Sequence, residues 1–425
     1  MYLLIIIIFV LGYAAIALEH PLQVNKTATA LLTGVLCWVV YILGVGDTHL
    51  VSEQLYEHLG EISGILFFLL GAMTIVEIID AHDGFSVITN KIKTRDKRLL
   101  LWIISVVAFF LSAVLDNLTT TIVMVSLLRK LIKDKHTRLV FIGMIVIAAN
   151  AGGAWTPIGD VTTTMLWIGG QITTLNIMRW LLLPSLICLV VPLLFLSFKL
   201  KGVVDSHAVH EPTQNKVSNF EQKLILILGI GALVFVPIFK TITHLPPFMG
   251  ILFGVGVLWV VTEIIHKNKA EHVKGTYSVV HALQKADVPS VLFFLGILVA
   301  ISALESTQQL ASMANYLDRT IGNLNVIVIS IGLLSSVVDN VPLVAATMGM
   351  YDLQTYPPDH YFWTFIAYCA GTGGSCLIIG SAAGVAAMGM ERIDFIWYLK
   401  HITWLALLGY FAGALFFIAQ HYFLG

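Results

Sequence analysis

Charge is scarce in this sequence. Asp, Glu, Lys and Arg make up 12% of its 425 residues, about half the share of an ordinary soluble domain. Too few polar side chains exist to coat a water-facing surface. Cysteine is scarcer still. Cys37, Cys188, Cys369 and Cys376 all fall inside apolar runs without metal-ligand spacing, which argues against a disulfide framework or a cysteine metal centre and makes them small buried side chains. The formal net charge of −1 gives no general attraction to nucleic acid. The run from Tyr2 to Leu18 has no basic flank before it and no small-residue cleavage site, so it reads as a retained first helix rather than a signal peptide.

What the chain has instead is apolar length. Hydrophobic residues make up 58%, mean hydropathy is +0.89, and the runs reach the roughly 20 residues that cross about 30 Å of hydrocarbon. They fall at 2–18, 27–44, 62–80, 99–128, 138–170, 178–198, 223–240, 247–265, 289–305, 323–349, 361–389 and 402–422. Connections are short. The longest polar one spans Lys199 to Lys223 and divides the chain near its middle. An all-α polytopic membrane protein is expected, its principal partner the lipid bilayer.

The run 99–128 is too long for one crossing, about 45 Å as a helix. Arg95, Lys97 and Arg98 precede it; Arg129, Lys130 and Lys133 follow it. If basic loops stay cytoplasmic, both ends lie on one side, and the segment enters and returns as a re-entrant hairpin with its tip near Asp116-Asn117. Irregular backbone at such a depth is tolerated only where it is buried in protein or lines a wet cavity. The second half repeats the arrangement. Leu111-Ser-Ala-Val-Leu-Asp-Asn117 returns as Leu334-Ser-Ser-Val-Val-Asp-Asn340. The break Gly152-Gly-Ala-Trp-Thr-Pro-Ile-Gly159 returns as Gly373-Gly-Ser-Cys-Leu-Ile-Ile-Gly380, and Phe67–Gly71 echoes Val291–Gly296. Three blocks in one order at nearly one offset indicate a duplication: a first repeat over 1–200 (hairpin 99–128, broken helix 138–170), a cytoplasmic linker at 201–222, and a second repeat over 223–425 (hairpin 323–349, broken helix 361–389). Five crossings and one hairpin per half make the two repeats inverted. Placing Lys26 and the loops 81–98, 129–138, 199–223, 266–287 and 391–400 inside leaves only Arg179, Lys240 and Arg319 of the 24 Lys and Arg outside. Both termini are then expected outside a cytoplasmic (inner) membrane.

Ionisable residues inside membrane segments are costly and default to functional candidates. Asp116 and Asp339 sit at the two expected tips, each followed by Asn, and Asp160 follows a glycine–proline break. Glu77 and Asp80, near the end of the third run, read as interfacial. Matching breaks in two inverted halves point to a midplane transport site. The oxygens near them (Asn117, Thr119 to Thr121, Thr156, Thr162, Thr163, Ser335, Asn340, Ser375, Ser381) suit a hard cation. A carboxylate with an ordinary pKa of about 3.9 holds no proton at cytoplasmic pH. Desolvation and a second acid nearby raise the proton affinity of any carboxyl group, and clustered acids titrate together. Sodium and protons would then compete for the same oxygens, which is antiport from one site. The plain alternative is that these acids only cap helix starts, and Asp160 and Ser381 fit that role; the hydroxyls could bond their own helices.

At Asp116-Asn117 with Thr119 to Thr121, at Asn150 to Thr163, and at Ser335 to Asn340, the sequence resembles the NhaD-type sodium–proton antiporters of the ion transporter superfamily over essentially the whole chain. The resemblance implies two inverted repeats, a homodimer with a scaffold and a mobile transport part, elevator-like movement, and exchange of Na⁺ or Li⁺ for H⁺ without a cofactor. It also implicates Asp116, Asn117, Asn150, Asp160, Thr162, Thr163, Ser335, Asp339, Asn340 and Ser375 in ion binding and proton coupling, with Na⁺ at Asp116, Asn117, Asp160, Asp339 and Asn340. Dicarboxylate-carrying relatives have neutral Ser-Asn-Thr tips; acids at both tips here would repel such an anion. Three other readings compete: a sodium-coupled anion carrier of the same architecture, an intramembrane aspartyl protease, whose Gly-x-Gly-Asp context neither tip shows, and a passive channel.

Overall fold

The computed structural model describes residues 1–92, 94–204, 217–267, 269 and 275–424. The expected linker at 201–222 lies largely outside them. Among the described residues every regular element is a helix, apart from one isolated bridge between Asp96 and Val203.

The first half runs through α1 (Tyr2–Ala17), α2 (Lys26–Val45), α3 (Thr48–Ala81), α4 (Lys97–Ser112), α5 (Asn117–Leu131), α6 (Lys135–Gly153), α7 (Val161–Ile168) and α8 (Thr174–Lys199). The second runs through α9 (Asn219–Thr243), α10 (Pro247–His266), α11 (Val288–Ser306), α12 (Leu324–Leu334), α13 (Asn340–Met350), α14 (Tyr361–Gly373), α15 (Ala382–Glu391) and α16 (Thr403–Leu424); shorter helices occupy some of the connections. Eight of them (α2, α3, α6, α8, α9, α10, α11 and α16) are long and apolar enough to cross a membrane. The chain is a multi-pass membrane protein.

All four runs that are interrupted in the structure are the ones whose sequence shows a tip or a break. The run 99–128 divides between Ser112 and Asn117, 138–170 between Gly153 and Val161, 323–349 between Leu334 and Asn340, and 361–389 between Gly373 and Ala382. One boundary differs from expectation. The third apolar run spans 62–80, but α3 begins at Thr48, because the Asp47 side chain accepts hydrogen bonds from the His49 and Leu50 amides and fixes the helix start. Capping, not apolarity, sets that end.

The helices form two packed groups, each drawing on both halves of the sequence. In one, α2 lies against α1 and α11, and α3 against α9, α10 and α11. In the other, α4, α5, α8 and α15 pack on α6, while α12 and α16 pack on α14. From Phe141 to Gly153 and from Phe362 to Gly373 every side is buried, as expected for helices that are apolar all round and lie inside protein. Large exposed apolar side chains instead line α1, α2, α9 and α10, among them Leu11, Leu43, Ile227 and Phe253; these suit lipid. The four cysteines are buried and free.

Residues of the basic loops meet residues far away in the sequence at three places. Arg129 and Arg138 both hold the buried Glu391 carboxylate (2.6 and 3.0 Å). Arg98 Nε donates to the Leu200 carbonyl at 2.7 Å, and the His82 ring stacks on His266, 5.2 Å between centroids.

Two close approaches hold the broken segments. A Cβ at Gly152 of α6 would overlap the Phe109 carbonyl of α4, and one at Gly373 of α14 would overlap the Gly332 carbonyl of α12. Beside each, a serine donates across the same gap: Ser112 Oγ to the Ala149 carbonyl (2.6 Å) and Ser335 Oγ to the Ala370 carbonyl (3.1 Å). These contacts admit no side chain, so the helices must shift if one is added. Gly152→Ala and Gly373→Ala are therefore expected to destabilise the detergent-purified protein by about 1–3 kcal/mol or more. Gly231→Ala and Gly256→Ala, at positions with open space around the missing Cβ, are expected to leave its thermal unfolding temperature unchanged.

Candidate functional site

Each interruption exposes a helix N-terminus whose first amides have no intrahelical partner, and in the interior those amides must be met by side chains. The chain meets them with acids in three cases out of four. Asp116 caps α5: its Oδ1 accepts from the Thr119 amide at 2.6 Å and its Oδ2 from Thr119 Oγ1 at 3.0 Å. Asp160 caps α7: its Oδ1 accepts from the Thr162 amide and Thr162 Oγ1 at 2.8 and 2.7 Å. Asp339 caps α13, with one long bond of 3.3 Å from the Val341 amide. Ser381 caps α15.

The capping role weighed against the site is thus real for all three acids, and it does not exclude the other. The same groups are tied to one another across elements. Asn117, the residue after the first tip, donates from Nδ2 to Asn150 Oδ1 (3.0 Å) and to Asp160 Oδ2 (2.6 Å). Asn150 Nδ2 in turn donates to Ser381 Oγ (2.9 Å). A single amide therefore links the first tip, the end of α6, the cap of α7 and, through Asn150, the cap of α15. Asp116 has φ 140°, a backbone region that side chains rarely occupy and that tends to mark functional positions.

Not every sequence candidate joins this network through its side chain. Thr162 does, while Thr163 Oγ1 bonds the Asp160 carbonyl (2.9 Å). Ser335 and Ser375 use their hydroxyls on backbone carbonyls, Gly332 and Ala370 for the first and Thr372 for the second. Asn340 is buried beside Asp160, and among the described residues its Nδ2 meets no acceptor at full hydrogen-bond geometry; the hydroxyls of Thr120 and Thr121 are likewise buried and find no partner among the described residues.

Asp116, Asn117 and Asp339 face a cavity of about 60 Å³, which Phe68, Phe293 and Ser290 close from α3 and α11. It is sized for one or two water-sized bodies. Lys26, at the start of α2, reaches this cavity and places its Nζ 3.7 Å from Asp339 Oδ2. In the sequence Lys26 stands out only as one charge among the basic positions. A signal was available: a cation in the first turn of a helix opposes the macrodipole, so its place there asks for a partner elsewhere.

A family model described as "Citrate transporter" matches residues 3–367. The chain is 51% identical to Sodium/proton antiporter 1 of Arabidopsis thaliana, over 98% of this chain and 72% of that protein. It is 49% identical to Sodium/proton antiporter 2 of the same plant, over 98% of this chain and 99% of that protein. The Na(+)/H(+) antiporter NhaD of Vibrio cholerae is 31% identical over 95% and 89% of the two chains.

Asn117→Ala would leave Asp160 Oδ2 and Asn150 Oδ1 without their shared donor. Each buried polar atom so abandoned costs about 1–3 kcal/mol. A drop in thermal unfolding temperature of the purified protein is expected, larger than for Asn315→Ala, whose amide bonds only an exposed carbonyl of its own helix. Equal effects would mean the bridge holds nothing.

Proposed function

The chain belongs to the citrate-transporter family and, within it, to the NhaD-type sodium–proton antiporters, and on that premise we propose that it exchanges Na⁺ or Li⁺ for H⁺ by competition at Asp116, Asp160 and Asp339. The observation that carries this reading is the amide of Asn117 bridging Asp160 and Asn150 beside a small cavity lined by two further acids. Carboxylate and amide oxygens are the ligands a hard monovalent cation takes. Asp160 is 1% exposed, so its charge is expensive unless a cation or a proton accompanies it. Loading one of these excludes the other, and alternation follows without a separate proton pathway. Asn150, Asn340, Thr162 and Thr163 supply or orient neighbouring oxygens; Ser335 and Ser375 hold the backbone whose carbonyls border the breaks.

The arrangement of the parts supports inverted repeats. α4 starts and α5 ends at the end carrying the basic loops. α12 starts at the opposite end, where Tyr361 of α14 donates to Asn325 (2.7 Å) and Thr173 Oγ1 to Asp359 (2.7 Å). Both helix pairs thus read as re-entrant hairpins entered from opposite sides, with the basic end cytoplasmic and both termini outside. The α1–α3 and α9–α11 group supplies the scaffold and the dimer contact. The group built on α6 and α14 carries the ion in an elevator-like movement. Few elements bridge them, chiefly α11 with α13 and α3 with α7.

The family description favours one rival, a sodium-coupled carrier of an organic anion. A cavity of about 60 Å³ with acids at its wall suits neither the size nor the charge of a tricarboxylate.

Everted vesicles from cells lacking their own antiporters, acidified inside and followed with a pH-sensitive dye, test the assignment. NaCl or LiCl is expected to dequench the dye between about pH 6 and 9. Asp116→Asn and Asp339→Asn are expected to reduce the response to that of vesicles without the protein, while membrane levels stay normal. Wild-type responses in both variants would remove the tip carboxylates from the mechanism. Labelled citrate accumulating with sodium, in place of dequenching, would establish the rival.

A further inference from the structure

Among the three acids, Asp339 is the one its own helix serves least. Asp116 is followed three residues on by Thr119, which gives both an amide and a hydroxyl; Asp160 is followed two residues on by Thr162, which does the same. Three residues after Asp339 stands Pro342, which has neither an N–H nor a hydroxyl. The only donor Asp339 finds in α13 is the Val341 amide at 3.3 Å. Its second oxygen faces the Lys26 ammonium at 3.7 Å.

Lys26 belongs to the other helix group, and its place is built. The Asn25 side chain caps its helix through the Thr27 amide (2.8 Å), Glu19 accepts from the Lys26 amide (3.1 Å), and Thr27 Oγ1 donates to the Pro289 carbonyl of α11 (3.0 Å). Its Nζ lies 4.6 Å from the centre of the Phe293 ring, a cation–π contact. Among the described residues lining the cavity it is the one cation. Charge arithmetic assigns it a task. Four helix N-termini contribute about half a positive charge each, against three carboxylates, so roughly one negative charge is left uncompensated.

We propose that Lys26 is a tethered cation that takes the place of the transported ion at Asp339, so that sodium binds by displacing it and release of sodium lets it return. The idea rests on the exchange reading above and names a residue that sets its ion affinity. Either a sodium ion or a proton on Asp339 frees the ammonium, and with neither present Lys26 holds the second tip against α2 and α11. Lys26 acts on the ion through Asp339, as a positioning residue. The groups it faces are Asp339 on α13, Asp116 at the first tip, Glu19 before α2 and the Phe293 ring on α11.

The test uses the full chain in proteoliposomes and in detergent, with Lys26→Met (which keeps an unbranched stem but loses the charge and its cation–π contact with Phe293), Lys26→Gln and Lys26→Arg. Removing the charge is expected to lower the half-saturating Na⁺ about 3- to 10-fold, both in exchange and in Na⁺-dependent thermal stabilisation. Lys26→Arg, which keeps the charge, is expected to stay within about twofold of wild type. A purely structural role would instead lower the unfolding temperature equally at all sodium concentrations. Unchanged half-saturation in Lys26→Met and Lys26→Gln overturns the proposal, as does an Lys26→Arg protein that behaves like them. The binding readout decides for any variant that no longer transports. Absence of exchange by the wild-type protein overturns the antiport reading itself, a different outcome from normal exchange that is indifferent to Lys26.

Discussion

Helices that stop inside an apolar interior leave amides and carbonyls that no water can satisfy, and this constraint organises the whole molecule. Four helix starts are buried at the centre: α5, α7, α13 and α15. Unassisted, four such N-termini would make a site for an anion. Capping three of them with Asp116, Asp160 and Asp339 satisfies the amides and reverses the sign of the site in one step. Capping the helix starts and the proposed binding of a cation or proton by these acids are therefore compatible in one arrangement. A carboxylate that must stay near a helix end, and whose charge must stay compensated, is also a carboxylate that needs a cation or a proton.

Bringing four helix ends together requires backbone to touch backbone. That is why glycines sit at Gly152 and Gly373, pressed on carbonyls of α4 and α12, and why Ser112 and Ser335 bridge the same gaps. From Phe141 to Gly153 and from Phe362 to Gly373 the surrounding α6 and α14 are buried on every side, so the centre is held by protein, and large apolar side chains face outward from α1, α2, α8, α9, α10 and α16 instead. The buried Glu391 between Arg129 and Arg138 pins the far end of α15 to the start of α6. Rigidity thus surrounds the site at both ends of its short helices, and the thinner contacts lie between the two helix groups.

Much of this was legible in the sequence because its signals are local. Apolar run length marked the spans. Gly152, Pro157 and Gly373 marked two of the interruptions, and the Asp-Asn pairs at 116 and 339 marked the other two. What the sequence obscured was whatever depended on an exact cap or a distant partner. The start of α3 at Thr48 hangs on the Asp47 side chain, well ahead of the apolar run that α3 contains. Ser335 and Ser375 look like site oxygens in the sequence, yet their hydroxyls bond backbone. Lys26 looks like an ordinary loop charge and reaches a tip acid more than three hundred residues away in the chain.

By itself the sequence determined a multi-pass helical protein and three acids placed at interruptions of apolar helices, because membrane length, glycine breaks and buried charge are written in neighbouring residues. Only the tertiary structure decided that Asn117 joins Asp160 to Asn150, that Asp339 answers to Lys26, and that both halves contribute to each helix group. Those are distances between elements far apart in the chain, set by how close glycine and serine let the helices come. No periodicity or motif spacing records them.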